Sequence, residues 1–233
     1  MKIGILKTDT VRPEWVPNFG EYPDMFERLL LQVDPTLEFV VWDAEAGERP
    51  ERTDEVDGYL ITGSKSSVYD DKPWIRDLEA FVRRLHEEKR KVIGICFGHQ
   101  LIARALGGVV EKSSKGWGVG VHTYKVTDPQ LLADHEGDQV RILVSHQDQV
   151  MKMPEGAQVL VNNDHCDIGA MRIGNHMLTF QGHPEFVPEY SKEIMDYRYE
   201  MIGDDRVREG VDSLALGHQG IRVAHWMVDF FEA

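Results

Sequence analysis

The sequence predicts an α/β fold in which a mixed, mostly parallel sheet is flanked by helices and a smaller antiparallel portion occupies the second half. In the first half, short apolar runs alternate with amphipathic segments, which is typical of a parallel sheet covered by helices on both faces. In the second half, turns and little helix separate the apolar runs, which favours mixed or antiparallel pairing. No linker, repeat or low-complexity tract interrupts residues 1–233, so one domain is expected.

The elements of the first half follow from the spacing of apolar residues. The predicted strands are Lys2–Lys7, Leu37–Trp42, Gly58–Thr62 and Lys91–Ile95. The predicted helices are Met25–Val33, Trp74–Glu88 and Phe97–Leu106. Pro73 precedes the second of these helices, and Gly107 and Gly108 end the third, which are the positions that proline and glycine favour.

The second half is predicted to be rich in short strands, with helices at its end. The predicted strands are Gly118–Val126, Gln139–Val144, Ala157–Asn162, Asp167–Ile173 and His176–Phe180. The predicted helices are Ser191–Met201 and Gly220–Phe231.

The charge and the cysteine content limit the classes of partner. Forty acidic and 26 basic residues give a formal net charge of −14, which repels phosphate backbones and acidic bilayers and argues against nucleic-acid and membrane partners. No apolar run approaches the roughly 18–20 residues of a membrane span, so a cytoplasmic location is expected. Two cysteines, Cys96 and Cys166, cannot form a disulfide framework, which fits a reducing compartment. Neither lies in a C-x-x-C pair, so structural zinc is not expected.

The segment Gly94–Gln100 places Cys96 between a predicted strand and a predicted helix. A nucleophile on such a tight turn needs small neighbours, which Gly94 and Gly98 provide. The dipole and the free N–H groups at the start of the helix favour a thiolate, and the N–H of Phe97 is placed to bind an oxyanion. Cys96 is therefore the predicted nucleophile. The alternative for a lone cysteine is a small buried residue at the end of a strand.

A second segment, Phe180–Phe186, supplies the groups that a thiolate needs. Histidine accepts and returns protons near neutral pH, so His183 is the candidate base and acid. Glu185, two residues on and across the rigid Pro184, can reach the other ring nitrogen and orient it.

These two motifs resemble the signatures of class I glutamine amidotransferase domains, whose nucleophile lies in G-x-C-x-G-x-Q and whose base and orienting acid lie in H-x-E. The resemblance covers nearly the whole chain. It implies a flavodoxin-like core and cleavage of the glutamine side-chain amide through a γ-glutamyl thioester, with release of ammonia. By position, it makes Cys96 the nucleophile, His183 the general base and acid, and Glu185 the orienting residue. This chemistry requires no cofactor.

The resemblance also assigns residues that contact the substrate. Gly63 corresponds to the donor of a second oxyanion N–H, although many relatives carry Gly-Gly-Pro there and Ser64 departs from that pattern. Gln100, one helical turn after the nucleophile, matches a glutamine that contacts the substrate.

The resemblance also matches two later segments of the chain to segments that contact the substrate in relatives. Ser145, His146 and Gln147 fall where the backbone of relatives holds the amino-acid end of the substrate. Lys115–Gly118 has the spacing of another strand that lines the substrate. For each of these positions the alternative is ordinary loop chemistry.

The sequence leaves three functions open, and the two enzymatic ones act on a small-molecule substrate. The first is a stand-alone glutamine amidotransferase or glutaminase, with or without an acceptor synthase subunit. The second is a γ-glutamyl peptidase; relatives often have an aromatic residue at the position of Gly182, and a glycine there is expected to widen the pocket beside His183. The third is a non-catalytic regulatory module, which the presence of all three triad residues disfavours.

Four histidines raise the question of a metal site: His99, His122, His146 and His165. No pair has a compact ligand spacing, and a soft metal on Cys96 would quench the nucleophile. No metal is therefore expected.

Overall fold

The observed fold consists of a nine-stranded mixed sheet and a separate two-stranded sheet. The computed structural model describes every residue from Met1 to Ala233. The strands are β1 Lys2–Lys7, β2 Glu38–Asp43, β3 Gly58–Ile61, β4 Lys91–Ile95, β5 Val109–Lys112, β6 Gly118–Val126, β7 Gln139–His146, β8 Asp148–Lys152, β9 Ala157–Asn162, β10 Ala170–Ile173 and β11 Met177–Phe180. The helices are α1 Val16–Phe19, α2 Tyr22–Leu30, α3 Pro73–Glu87, α4 Phe97–Ala105, α5 Pro188–Tyr197, α6 Tyr199–Ile202, α7 Asp204–Ser213 and α8 Gly220–Glu232.

The large sheet has the strand order β2-β1-β3-β4-β11-β10-β9-β6-β7. The first five of these strands are parallel to their neighbours, and every later pairing is antiparallel. β5 and β8 form the two-stranded antiparallel sheet. The predicted fold class is thus confirmed, with the parallel strands contributed mainly by the first half of the chain.

Helices cover both faces of the parallel part. On one face, α2 and α8 pack on the sheet through residues such as Phe26 and Met227 in a core of 28 buried residues. On the other face, α3 and α4 pack through residues such as Phe81 and Leu101 in a core of 23. Burying both faces explains why β3 and β4 are continuous apolar runs and not alternating ones. No helix combines the length and the apolar character needed to cross a bilayer.

Several boundaries differ from those predicted. The predicted strand Asp167–Ile173 begins only at Ala170, because residues 167–168 form a turn. The predicted helix Ser191–Met201 starts earlier, at Pro188, and is divided at Arg198 into α5 and α6. The predicted helix Met25–Val33 is observed at Tyr22–Leu30, and the strands β5 and β8 and the helices α1 and α7 were not predicted.

The parallel strands place their carboxyl ends at one edge of the sheet, where ligands of open α/β sheets usually bind. Thr8 follows β1, Thr62 follows β3, Cys96 follows β4, and Gln181 follows β11. Motifs that are far apart in the sequence therefore meet at this edge.

Candidate active site

Cys96 occupies a strained turn between β4 and α4. Its backbone has φ 49° and ψ −98°, and positive φ is unfavourable for a residue with a side chain. A Cβ atom added at Gly94 would lie 2.6 Å from the Gly98 carbonyl oxygen, and one added at Gly98 would lie 2.5 Å from the Ile61 carbonyl oxygen. No larger residue fits at either position without a backbone shift, so the two glycines permit the turn that holds Cys96.

His183 and Glu185 lie beside this turn and are both buried. The imidazole Nδ1 is 2.7 Å from Glu185 Oε1, which leaves Nε2 for another partner. The backbone N–H of His183 donates to the Leu143 carbonyl, 2.7 Å away, and the ring stacks on Phe186 with centroids 4.0 Å apart. The orientation of the imidazole is therefore fixed by contacts from both sides.

Charge favours a protonated His183. Burial lowers the pKa of His183, but the charges on Glu185 and Cys96, with hydrogen bonding to both, raise it to about 10. A Cβ added at Gly63 would lie 2.7 Å from His183 Cε1 and 3.5 Å from Cys96 Cβ. The imidazole and the cysteine therefore both lie against Gly63. The cysteine, the imidazole and the carboxylate therefore follow one another in space.

Two backbone N–H groups near Cys96 donate no hydrogen bond within the chain. Phe97 is the first residue of α4, so its N–H has no acceptor within the helix. The N–H of Gly63 has no hydrogen-bond acceptor within the chain. The Thr8 hydroxyl lies 2.9 Å from the Gly63 carbonyl oxygen, and this contact ties the Gly63 segment to the end of β1.

Cys96 borders a cavity of about 620 Å³. The charged side chains on its walls are four cations and two carboxylates, namely Arg12, Lys65, Lys112, Arg198, Asp9 and Asp148. Asp9 is paired with Lys65, whose Nζ and backbone N–H both approach it. Neither Lys112 nor Arg198 forms a salt bridge. The cavity therefore has an excess of positive charge within a chain of net charge −14.

The structure brings the predicted substrate residues to this cavity. Gln100, Ser145, His146 and Gln147 all line it. The Gln100 amide donates to the Asp148 carbonyl at 2.9 Å and to Gln181 Oε1 at 3.1 Å, so that its side chain is held in place.

The surroundings of Ser145 and His146 determine a hydrogen bond of the first residue and the charge of the second. The Ser145 hydroxyl accepts a hydrogen bond from Arg198 at 3.1 Å. Burial lowers the pKa of His146 well below its usual range, assisted by the charges of His122 and His165, so the ring is neutral. Of the predicted Lys115–Gly118 segment, Trp117 lines the cavity, whereas Lys115 pairs with Asp167 on the surface.

The prediction for Gly182 was wrong. A Cβ added there would lie 2.6 Å from Ile142 Cγ2 and 3.2 Å from the Leu143 carbonyl oxygen, on β7. The missing side chain therefore faces the packed strand β7, and its absence lets the backbone before His183 approach that strand. It does not enlarge the pocket.

Sequence reasoning missed the residues that fix the loop after β3. Asp9 accepts the Lys65 backbone N–H at 2.7 Å, and Asp148 accepts the hydroxyls of Ser67 and Tyr69 at 2.5 and 3.0 Å. Asp148 is the first residue of β8, and no sequence motif marked it. Asp9 follows the first predicted strand, and that position at the carboxyl end was the available signal.

The remaining candidates lie outside this arrangement. His99 is fully buried with Nδ1 2.7 Å from the Thr179 hydroxyl, and burial lowers its pKa to about 3. Burial raises the pKa of Cys166 to about 12, so it is an unreactive thiol. No group of three or more His, Cys, Asp or Glu side chains has the arrangement of a metal site.

Comparisons with known proteins identify the family that this chain resembles. The model of the glutamine amidotransferase class-I family matches residues 16–198. Gamma-glutamyl peptidase 2 of Arabidopsis thaliana is 32% identical over 171 residues, which cover 71% of this chain and 69% of that protein. Gamma-glutamyl peptidase 5 of the same plant is 38% identical over 157 residues, covering 64% of this chain and 62% of that protein. The matched segments thus span about two thirds of these relatives.

A solved structure shows the same fold. The crystal structure of a glutamine amidotransferase from Thermotoga maritima superposes with a TM-score of 0.76 at 18% identity, covering 99% of each chain. With the family match over most of its length, the chain belongs to the class-I glutamine amidotransferase family.

Proposed function

We propose that this protein hydrolyses γ-glutamyl amide bonds, with Cys96 as nucleophile, His183 as general acid and base, and Glu185 as the residue that orients His183. One observation carries the proposal: a cysteine at a strained strand–helix turn borders an open cavity and faces an imidazole that a buried carboxylate holds. Ion pairing of this kind activates a thiol for attack on a carbonyl.

The proposed reaction has two halves. The Cys96 thiolate attacks the γ-carbonyl carbon, and the N–H groups of Phe97 and Gly63 stabilise the oxyanion. His183 gives its proton to the departing nitrogen, the C–N bond breaks, and a γ-glutamyl thioester remains on the sulfur. His183 then takes a proton from water, which attacks the thioester and releases glutamate, and the thiolate is restored.

We assign the binding of the γ-glutamyl end to Gln100 and to Ser145, His146 and Gln147. All four line the cavity next to Cys96. Because hydrogen bonds already fix Gln100 and His146, the wall that they form is organised before substrate arrives.

Two leaving groups are candidates, and the cavity favours the larger one. The cavity volume of about 620 Å³ lies within the range that accommodates drug-sized ligands. Free glutamine has only ammonia as its leaving group, which is much smaller than the amino acid or peptide that a γ-glutamyl peptide releases. A γ-glutamyl peptide has one carboxylate more than it has ammonium groups, whereas glutamine is neutral overall. The unpaired Lys112 and Arg198 therefore favour a γ-glutamyl peptide. Two plant relatives named as γ-glutamyl peptidases support the same choice.

Glutamine hydrolysis, with transfer of ammonia to an acceptor synthase subunit, is the second candidate, and the family supports it. We also propose that residues 1–233 act as one domain, because α8 packs beside α2 on the same sheet that contains β1. A cytoplasmic location stays a prediction, in keeping with two free cysteines.

The test is release of glutamate from a γ-glutamyl dipeptide and from glutamine by the parent protein, by Cys96→Ala and by Cys166→Ala. The same substitution at the second, buried cysteine is the matched control, because burial raises the pKa of that thiol to about 12 and makes it unreactive. We expect Cys96→Ala to abolish release from both substrates and Cys166→Ala to retain it. Activity in Cys96→Ala, or no activity in a folded parent protein, would overturn the proposal.

A further inference from the structure

The cavity beside Cys96 is also lined by a group of large aromatic and apolar side chains. Trp15, Trp117, Tyr197 and Met201 line it, and none of them belongs to the proposed catalytic residues. Tyr197 is 58% exposed and Met201 is 65% exposed. Large apolar groups clustered on an open surface are unusual and mark binding sites.

Trp15 and Tyr197, which we name the aromatic shelf, are held in a defined geometry. Their rings meet edge to face with centroids 5.8 Å apart. The Arg12 guanidinium lies 4.1 Å from the centroid of Tyr197 and 5.6 Å from that of Trp15, and it is fixed by a salt bridge of 2.6 Å to Glu14. The shelf is therefore organised before any ligand binds.

A continuous series of ring contacts connects the aromatic shelf to the proposed base. Trp15 packs against Tyr190 at 5.9 Å, Tyr190 against Phe186 at 4.8 Å, and Phe186 against His183 at 4.0 Å. Close packing of this kind resists relative movement. A group held on the shelf is consequently kept at a fixed position relative to the imidazole that protonates the leaving nitrogen.

We propose that the aromatic shelf binds the side chain of the leaving group, so that the preferred substrates are γ-glutamyl amides of amino acids or peptides with an aromatic or large apolar side chain. The inference rests on the proposed function and goes beyond it, because it names the substrate class and the residues that select it. Aromatic side chains recognise such groups through buried area and edge-to-face contacts. Cys96 and both residues of the shelf line the same cavity.

The test compares γ-glutamylphenylalanine with γ-glutamylglycine, which have the same charges and differ by the benzyl group. In the parent protein we expect a higher kcat/KM for the phenylalanine compound. In Trp15→Ala and Tyr197→Ala the ratio of the two kcat/KM values should fall about tenfold, the size expected for loss of one aromatic contact with its buried area. Tyr197→Phe keeps the ring and should keep the ratio.

Tyr199→Ala is the matched control, since Tyr199 is an exposed tyrosine two positions along the chain that does not line the cavity. It should leave the ratio unchanged. Equal kcat/KM values in the parent, or a Trp15→Ala variant that lowers both values by the same factor, would overturn the inference while the proposed function stands. A parent protein that hydrolysed neither dipeptide and did not hydrolyse glutamine would instead reject the proposed function, and one that hydrolysed glutamine alone would overturn this inference only.

Discussion

Replacing Glu185 by Gln tests how the buried carboxylate supports catalysis. The substitution keeps an oxygen 2.7 Å from His183 Nδ1 but removes its charge. A hydrogen bond to a charged group contributes about 1.5–3 kcal/mol, which sets the largest loss at roughly 10- to 100-fold in kcat/KM. The charge of Glu185 helps to raise the pKa of His183 to about 10, so its removal lowers that pKa. The imidazolium then loses its proton at a lower pH.

The assay is the pH profile of kcat/KM for a γ-glutamyl dipeptide. We expect the alkaline limb of the Glu185→Gln profile to move to lower pH by about one to two units, from the same energy at 1.36 kcal/mol per unit. Glu189→Gln, which neutralises an exposed acid four residues on, should match the parent. A Glu185→Gln protein with parental activity and an unmoved alkaline limb would refute the role assigned to this carboxylate.

Two further predictions follow from contacts around the site and in the core. In Gly63→Ala the new Cβ would lie 2.7 Å from His183 Cε1, so the imidazole must move. We expect kcat to fall about 100-fold in a folded protein. An unchanged kcat would contradict the observed placement of the imidazole. Burial lowers the pKa of His99 to about 3 and that of His176 to about 4, whereas an unfolded histidine has a pKa near 6.5. The unfolded chain therefore binds more protons than the folded chain below pH 6.5. The free energy of unfolding, measured with urea, should fall between pH 6.5 and 4, and it should fall less steeply in His176→Asn. Equal slopes of this free energy against pH in the parent and the variant would refute this assignment.

The parallel half of the fold could be predicted because burial on both faces leaves a simple pattern. β1, β3 and β4 are short apolar runs followed by small or polar residues, and the amphipathic helix α3 has one continuous apolar face. The misses have the opposite character. β5 is largely exposed, and α7 buries only Val207 and Gly210, so neither shows an apolar period.

The candidate site divides in the same way. Cys96 and His183 could be found because each lies in a short motif whose local geometry the sequence states. Asp148 and Trp15 could not be assigned, since their partners, Tyr69 and Tyr197, come from distant segments and meet them only in the folded chain. Gly182 was misassigned because the sequence does not show toward which neighbour its missing side chain points.

The central claim is that the sulfur of Cys96 carries the γ-glutamyl group during turnover. The direct measurement is mass spectrometry of the protein quenched in acid during hydrolysis of a γ-glutamyl dipeptide, followed by peptide mapping. A mass gain of one γ-glutamyl group on the peptide that contains Cys96, absent from Cys96→Ala, is the predicted result. Turnover with no such adduct, or with the adduct on Cys166, would contradict the account.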